Sequence, residues 1–490
     1  MKDDNNWSIV IDKFGGYCPG YFDNSYPYYG NKNQASDMTE VDMTDLNVLT
    51  QGPNITALTG GTQAGELGSE LIKSIIKHAV ASNVTYACSE DKVFKVSSTA
   101  VLNDDFPLSI TGGTYQVADS LLHYYEDVFV FWNDTGTEGE IAKVDISASS
   151  IDPDWGSTTP ATGAGHLEDA PHYGIVGGDN IMYITNGQYI TKYKGSTDTL
   201  TVHGLDFWND AQTVSLTWNY NRVWIAVNRP NVSGSNFNQS GIYKWNGISS
   251  SWEGDPIEVS GEIGALYTKN GITYVWWKDG TSNGGYNLGY STGSKLERIR
   301  RYKGSLPNQN QVGEYEGFIG WISSNKLMLW GSRDTNDTVR MFQYAAGTYA
   351  TVGTWAAPFG TIMISSTDSF TKYELGKASG YTTDARYKTM AYKVSGSGYK
   401  SIINHIKVHF ETLETGAKLD GTLTYNKGAS TKSLTQLAYS ASDSSTVRKM
   451  LISSPALEDF RVDLSWENGS TSKPFKIRAL EITGHYIQDN

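Results

Sequence analysis

The sequence predicts an all-β protein, and three observations carry that prediction: aromatics and glycine in place of charge, a hairpin-like unit that keeps returning, and strict apolar alternation near the C-terminus. Of 490 residues, 31 are Tyr, 14 Trp and 51 Gly, while charged residues make up 19%, against about 25% in ordinary globular chains. Disorder needs few aromatics and much charge, and a helical bundle wants Ala, Leu, Glu and Lys; neither fits. Strands joined by glycine-bearing turns do.

The repeat is an apolar strand, a short polar turn and a second apolar strand. It occurs at His78 to Cys88, Leu122 to Trp132, Gly174 to Ile184, Leu216 to Val227, Ala265 to Trp277 and Ile319 to Trp330. Marking the second strand by Val84, Val128, Ile181, Val223, Ile272 and Leu327 gives intervals of 44, 53, 42, 49 and 55 residues. A third alternating stretch follows each hairpin, as in Val93–Val96, Ile141–Val144, Tyr189–Tyr193, Ile242–Trp245 and Val339–Phe342. Three strands and a variable fourth at this spacing are what a β-propeller blade requires. The expectation is a six- or seven-bladed β-propeller over residues 66–397; a meandering sandwich is the plainer alternative.

Residues 1–65 stand outside the repeat. They hold Phe14-Gly15-Gly16, the aromatic loop Tyr26-Pro27-Tyr28-Tyr29-Gly30 and the run Val41 to Leu49. Too polar and turn-rich for a core of its own, this segment reads as an extended N-terminal arm that docks on the propeller or on a neighbouring subunit. Leu71 to Ile76 reads as the first blade strand rather than as a helical turn pair. Residues 398–490 change register: Ile402 to Phe410, Leu423 to Tyr425, Phe460 to Trp466 and Ile477 to Ile482 alternate as strands, and Gly/Ser turns between them fit a C-terminal β-sandwich.

Charge bounds function. With 39 basic and 52 acidic residues the net charge is 39 − 52 = −13, which disfavours a protein that gains affinity from phosphate contacts. No window reaches the roughly 18 apolar residues of a membrane span, and Met1 to Trp7 lacks a signal-peptide core, so the reading is a soluble, cytosolically made protein. Cys18 and Cys88 form no framework and no zinc pair; they read as ordinary thiols.

Candidate chemistry is sparse. His405 and His409 lie about 13 Å apart on a strand, too far to share a metal, and the other histidines are scattered, so no metal and no cofactor are expected. Glu253 with Asp255 and Glu314 with Glu316 are the carboxylate pairs a glycosidase would need, but such pairs are common on exposed strand edges. Ser366-Thr367-Asp368-Ser369-Phe370-Thr371 begins like a sialidase box and then places Phe370 where glycine is needed. Nothing reads as a P-loop, dinucleotide fingerprint or nucleophile elbow. The one dense basic strip is Arg298, Arg300 and Arg301 with Lys295 and Lys303; alternation puts Arg298 and Arg300 on one face, as a solvated outer strand or a contact for an acidic partner. Trp208, Trp218, Trp245, Trp252, Trp276, Trp277 and the loop Tyr26, Tyr28, Tyr29 are suited either to stacking on sugars or to filling core and interfaces.

Two stretches resemble propeller-type tail proteins of tailed bacteriophages, the nozzle and tail accessory factors of short-tailed phages. They are Phe14-Gly15-Gly16 and the run from Val41-Asp42-Met43-Thr44-Asp45-Leu46 through Gln51-Gly52-Pro53 to Leu58-Thr59. The resemblance covers the arm and the general plan; Gln51-Gly52-Pro53 stands where the family has a basic residue. It implies a non-enzymatic virion component of the tail or neck, assembled in the bacterial host cytoplasm as a homo-oligomeric ring, commonly a hexamer. The ring would sit below the portal and adaptor, with DNA passing through without specific binding. An acidic ring suits such a conduit. The rival readings are a receptor- or glycan-binding propeller and a propeller carbohydrate-active enzyme.

Overall fold

A computed structural model describes residues 6–12, 14, 35–39, 41–42, 49–51, 55–57, 73–77, 85–89, 91–96, 102–107, 116–134, 138–145, 150–229, 240–279, 285–291, 293–315, 318–323, 326–331, 339–343, 361–366, 369–375, 384–393, 399–411, 416–426, 428–434, 446–452, 454–467 and 474–488. The protein is all-β: the described strands form eight sheets of antiparallel ladders, with one short α-helix, Trp155–Thr158.

Five successive sheets are four-stranded meanders. The first is Ser74–Lys77, Thr85–Cys88, Lys92–Val96 and Leu102–Pro107. The second is Gln116–Tyr124, Asp127–Asp134, Glu138–Asp145 and Ser150–Asp152. The third is Gly174–Val176, Met182–Asn186, Tyr189–Lys194 and Thr199–Asp206. Gln212–Asn219, Arg222–Asn228, Ser240–Trp245 and Ile257–Val259 make the fourth. Glu262–Lys269, Ile272–Lys278, Gly285–Ser291 and Leu296–Lys303 make the fifth.

The second strand of each meander is apolar on both faces because both faces are covered. In Asp127–Asp134, Val128, Val130 and Trp132 pack towards Tyr86, Cys88 and Val93 of the first sheet. The alternate residues Phe129 and Phe131 pack towards Met182, Ile184 and Tyr193 of the third. The same division holds further on, where Val223, Ile225 and Val227 face Tyr183 and Ile190 and Trp224 and Ala226 face Ile263, Val275 and Trp277. The five sheets are therefore stacked face to face in chain order. Each such buried Val, Ile, Phe or Leu contributes about 2 kcal/mol relative to exposure.

Polar clasps recur at the same places. Asn228, closing its second strand, donates to the Ile263 carbonyl and accepts from the Ile263 amide, both at 2.8 Å. Asn133 makes the equivalent pair with Ala170, at 2.9 and 3.3 Å. Ser74 Oγ accepts from the Leu121 amide at 3.1 Å and Ser215 Oγ from the Leu266 amide at 2.9 Å, each joining one first strand to the next. The Asn270-Gly271 turn has positive φ at both residues, 51° and 77°, the twist that a two-residue hairpin demands.

Residues 304–311 cross the converging first strands. Gln309 Oε1 accepts from the Leu216 amide at 2.7 Å, and Gln309 Nε2 donates to the Gly174 carbonyl at 3.4 Å. Asn310 Nδ2 donates to the carbonyls of Asp119, at 2.7 Å, and Lys73, at 3.1 Å. At the fifth sheet, a Cβ on Gly264 would stand 2.3 Å from the Pro307 carbonyl. One short loop, held by a capping box between Asn308 and Gln311, thus touches the first strand, or the residue beside it, of five sheets.

Three findings modify the sequence reading. The first hairpin uses Ser74–Lys77 as its opening strand, upstream of His78, so the Leu71 to Ile76 stretch does end in a strand. The sixth hairpin, Phe318–Ser323 with Lys326–Gly331, is the second and third strand of its sheet, because Val312–Tyr315 precedes it. Counted by second strands, that interval is 318 − 272 = 46, and the outlying value of 55 disappears. The described strands of the N-terminal arm are each paired to other parts of the chain. Asn6–Ile11 pairs with Lys476–Gln488, Ala35–Thr39 with Asp384–Thr389, Val41–Asp42 with Val339–Gln343, Leu49–Gln51 with Lys476–Gln488, and Ile55–Ala57 with Ser369–Leu375.

These pairings give the remaining sheets. The sixth runs from Val312–Tyr315 to Val339–Gln343, then through the two N-terminal strands into Lys476–Gln488, Tyr399–Phe410 and Val447–Leu451. The seventh is Thr361–Ser366, Ser369–Leu375 and Ile55–Ala57. The eighth joins Ala35–Thr39, Asp384–Thr389, Asp459–Glu467, Lys418–Tyr425 and Ser430–Ser433, with Tyr392–Lys393 also on Asp459–Glu467. It therefore recruits strands that precede residue 398. Ile406, Val408 and Ile482 of the sixth sheet share one core with Tyr387, Leu419, Val462 and Trp466 of the eighth.

Candidate functional site

The basic strip lies on Leu296–Lys303, which among the described strands is an edge strand paired only with Gly285–Ser291. Arg298 stands opposite Gly289 and Arg300 opposite Leu288, with a register shift between them. That bulge interrupts the alternation that was to put Arg298 and Arg300 on one face. Arg301 stands opposite Asn287 and is partly buried. A carboxylate also sits within the strip: Glu297 accepts from Tyr290 Oη at 2.7 Å and pairs with Lys295 at 2.8 Å. The Lys295 ammonium, followed by the Tyr290 hydroxyl, holds the Glu297 carboxyl below its usual range. Tyr26, Tyr28 and Tyr29 lie outside the described residues.

Two of the carboxylates singled out for glycosidase chemistry are tied up in ion pairs. Glu253 is ion-paired with Arg222 in the fourth sheet, and Glu314 pairs with Lys269 at 3.2 Å beside the fifth; Glu316 is outside the described residues. His405 bonds Thr483 at 2.9 Å, and His409 approaches Glu481 at 3.7 Å. Among the described residues no group of three or more His, Cys, Asp or Glu is arranged to hold a metal ion. Cys88 is buried, and burial pushes its thiol up to about 12. No described helix is long and apolar enough to cross a membrane.

Half of the singled-out tryptophans are core: Trp245 and Trp276 are fully buried and Trp277 nearly so, while Trp218 is half-buried. Trp208 and Trp252 are different. With Phe207 and Tyr243 they form an aromatic group in which Phe207 stacks on Trp252 at 5.3 Å and Tyr243 meets Trp208 edge-on at 5.7 Å. Beside it opens a cavity of about 510 Å³ lined by Trp208, Arg229, Ser240, Gly241, Tyr243 and Glu258, among others. The Arg229 guanidinium lies 5.1 Å from the Trp208 ring centre, and its Nε donates to Asp210 at 3.0 Å. Glu258 stands directly across the ladder from Gly241, so both share a face with Tyr243, two residues on. A Cβ at position 241 would lie 3.0 Å from the Tyr243 ring, so glycine lets that ring settle over the strand. Burial raises the Tyr243 phenol above its ordinary range; Arg229 opposes this and Glu258 adds to it. Sequence reasoning singled out only Trp208 of this lining as a candidate, because the walls come from four separated stretches and no local spacing joins them.

A second polar centre lies under the central loop. A bulge between Ala118 and Ser120 takes Asp119 out of its ladder. Asp119 Oδ2 accepts from Asn133 Nδ2 at 2.7 Å and from the His172 amide at 2.9 Å. Burial raises the Asp119 carboxyl to about 7 despite those bonds. His172, fully buried, donates from Nδ1 to the Thr185 carbonyl at 2.8 Å, and burial lowers it to about 4.

No protein-family model matches the chain, and no curated protein matches it. Among solved structures it is similar to the computationally designed Ika8 protein, with a TM-score of 0.40 and 11% identity over 69% of this chain and 96% of that one. It is also similar to an exo-beta-1,3-galactanase from Phanerochaete chrysosporium, crystallised with galactose, at a TM-score of 0.33 and 8% identity over 88% of this chain and 100% of that one. At TM-scores this low neither likeness bears on what this chain does.

Proposed function

We propose that this chain is a non-enzymatic structural component of a tailed-phage virion, a ring-forming nozzle or neck protein that attaches at the portal and adaptor and lines part of the DNA ejection conduit. The fold proposed with it is a seven-bladed β-propeller whose last blade is completed by the N-terminal strand Ile55–Ala57, followed by a C-terminal β-sandwich. Face-to-face stacking of five meanders around one bridging loop supports the propeller, since radial repetition brings first strands to a common axis.

The observation that carries the functional reading is where the tail-protein-like run falls. Within residues 41–59, three successive strands are sewn into three places: Val41–Asp42 onto the sixth sheet, Leu49–Gln51 onto the C-terminal strand Lys476–Gln488, and Ile55–Ala57 onto the seventh sheet. The segment that resembles the tail proteins is thus the stitch that ties blades to sandwich into one wall segment. A closed ring repeats a single interface economically, and a net charge of −13 per chain repels phosphates that must slide past. The test is the copy number of this protein in purified particles, by quantitative mass spectrometry against the major capsid protein. A ring gives about six or twelve copies per particle; absence from particles rejects the reading.

A further inference from the structure

The cavity beside Trp208 is unused by the ring reading, and its chemistry is specific. Its volume of about 510 Å³ lies within the few hundred to a thousand Å³ of small-molecule sites. The aromatic part is Trp208 and Tyr243, packed against Phe207 and Trp252. Arg229 is held in place by Asp210 through Nε and by the Trp208 ring, which leaves the rest of its five-donor fork without a protein partner among the described residues. Glu258 is exposed and forms no hydrogen bond or ion pair among the described residues, so its carboxylate is a free acceptor at the rim. Ser240 is 5% exposed and its hydroxyl is buried without a partner, a cost that native structures seldom leave unmet.

A fixed fork of donors, a free carboxylate acceptor and an aromatic wall together match vicinal hydroxyls on an apolar ring. Each sugar hydroxyl both donates and accepts, and the sugar's C–H face packs on aromatics. The local charge decides between sugar classes. Arg229 and Glu258 balance within the lining, and Asp210, paired with Arg229 beside it, leaves the surroundings net negative by one charge, as is the whole chain. An acidic sugar would be repelled. We infer that the cavity formed by Trp208, Arg229, Ser240, Gly241, Tyr243 and Glu258 binds one unit of a neutral saccharide.

The test uses the full chain, with saturation-transfer NMR and calorimetric titration against glucose, galactose, mannose, N-acetylglucosamine and their disaccharides, and glucuronate as the acidic control. Binding of at least one neutral sugar in preference to glucuronate is expected. Glu258→Gln should weaken it about tenfold, the loss for a hydrogen bond to a charged group, without changing the melting temperature, because Glu258 is exposed and unpaired. Lys418→Gln, on the eighth sheet, should leave the affinity unchanged. No binding by any neutral sugar, tighter binding of glucuronate, or binding that survives Glu258→Gln overturns the inference. None of these outcomes alters the copy number in particles, so this inference and the ring reading fail separately.

Discussion

Asp119 and His172 show how much a single bulge can decide. Both lie beneath the loop 304–311 and are joined through the His172 amide, and burial drives each towards its neutral form. Asp119 is held near 7, above its ordinary 3.8, so between those values the native state keeps a proton that the unfolded chain releases. Its contribution to stability is complete at low pH and is lost as pH rises through that window. His172 is held near 4, below its ordinary 6.5, so its contribution is complete above 6.5 and lost as pH falls towards 4. The two slopes oppose one another from about 4 to 6.5, and only that of Asp119 acts above this range. Asp119→Asn should therefore gain stability over the parent chain at about pH 8 relative to about pH 5, read from urea midpoints. A difference between the two proteins that stays constant with pH would show that Asp119 does not titrate in this way.

At the scale of elements, the meanders were largely legible because their second strands, such as Val128 to Trp132 and Val223 to Val227, are apolar at every position. A strand covered on both faces must be so. The sixth hairpin misled by one strand because Ile319 to Trp330 is equally apolar, while the true opening strand, Val312–Tyr315, is short and carries Glu314. The bridging loop was not legible at all. Ser305 to Gln311 reads as an ordinary polar connection, and its meaning lies in partners 93 to 237 residues away. Asn310→Ala removes both of its carbonyl contacts and should cost about 2 kcal/mol, seen as a lower urea midpoint together with faster amide exchange in Gln116–Tyr124. Unchanged exchange in that strand would mean the loop rests on the sheets without fastening them.

At the scale of the whole molecule, the N-terminal residues are structural thread. Trp7 stacks on Phe460 at 5.7 Å and lies so close over Gly484 that a Cβ there would stand 2.4 Å from its ring. Removing residues 1–57 would strip strands from the sixth, seventh and eighth sheets and bare edges that invite aggregation. The expected result is aggregation on size exclusion or loss of a single cooperative melt; a monodisperse protein with the parent melting temperature would contradict the threading. The same geometry explains why the docking places of the arm were not legible in the sequence: its described strands of two to six residues are too short to announce a partner.

What the amino-acid sequence determined by itself is local. Alternation and apolar runs set the strands, Asn-Gly and similar pairs set the turns, and the 39-to-52 balance of basic and acidic residues set the acidic field. The tertiary structure alone decided which distant strands close each sheet, that five first strands meet at one loop, and that Trp208, Arg229, Ser240 and Glu258 enclose a cavity. The physical reason is range. Side-chain periodicity is enforced within a few residues by the pleat, whereas sheet closure and pocket walls depend on contacts whose partners are fixed only once the competing arrangements of the entire chain have been excluded by packing.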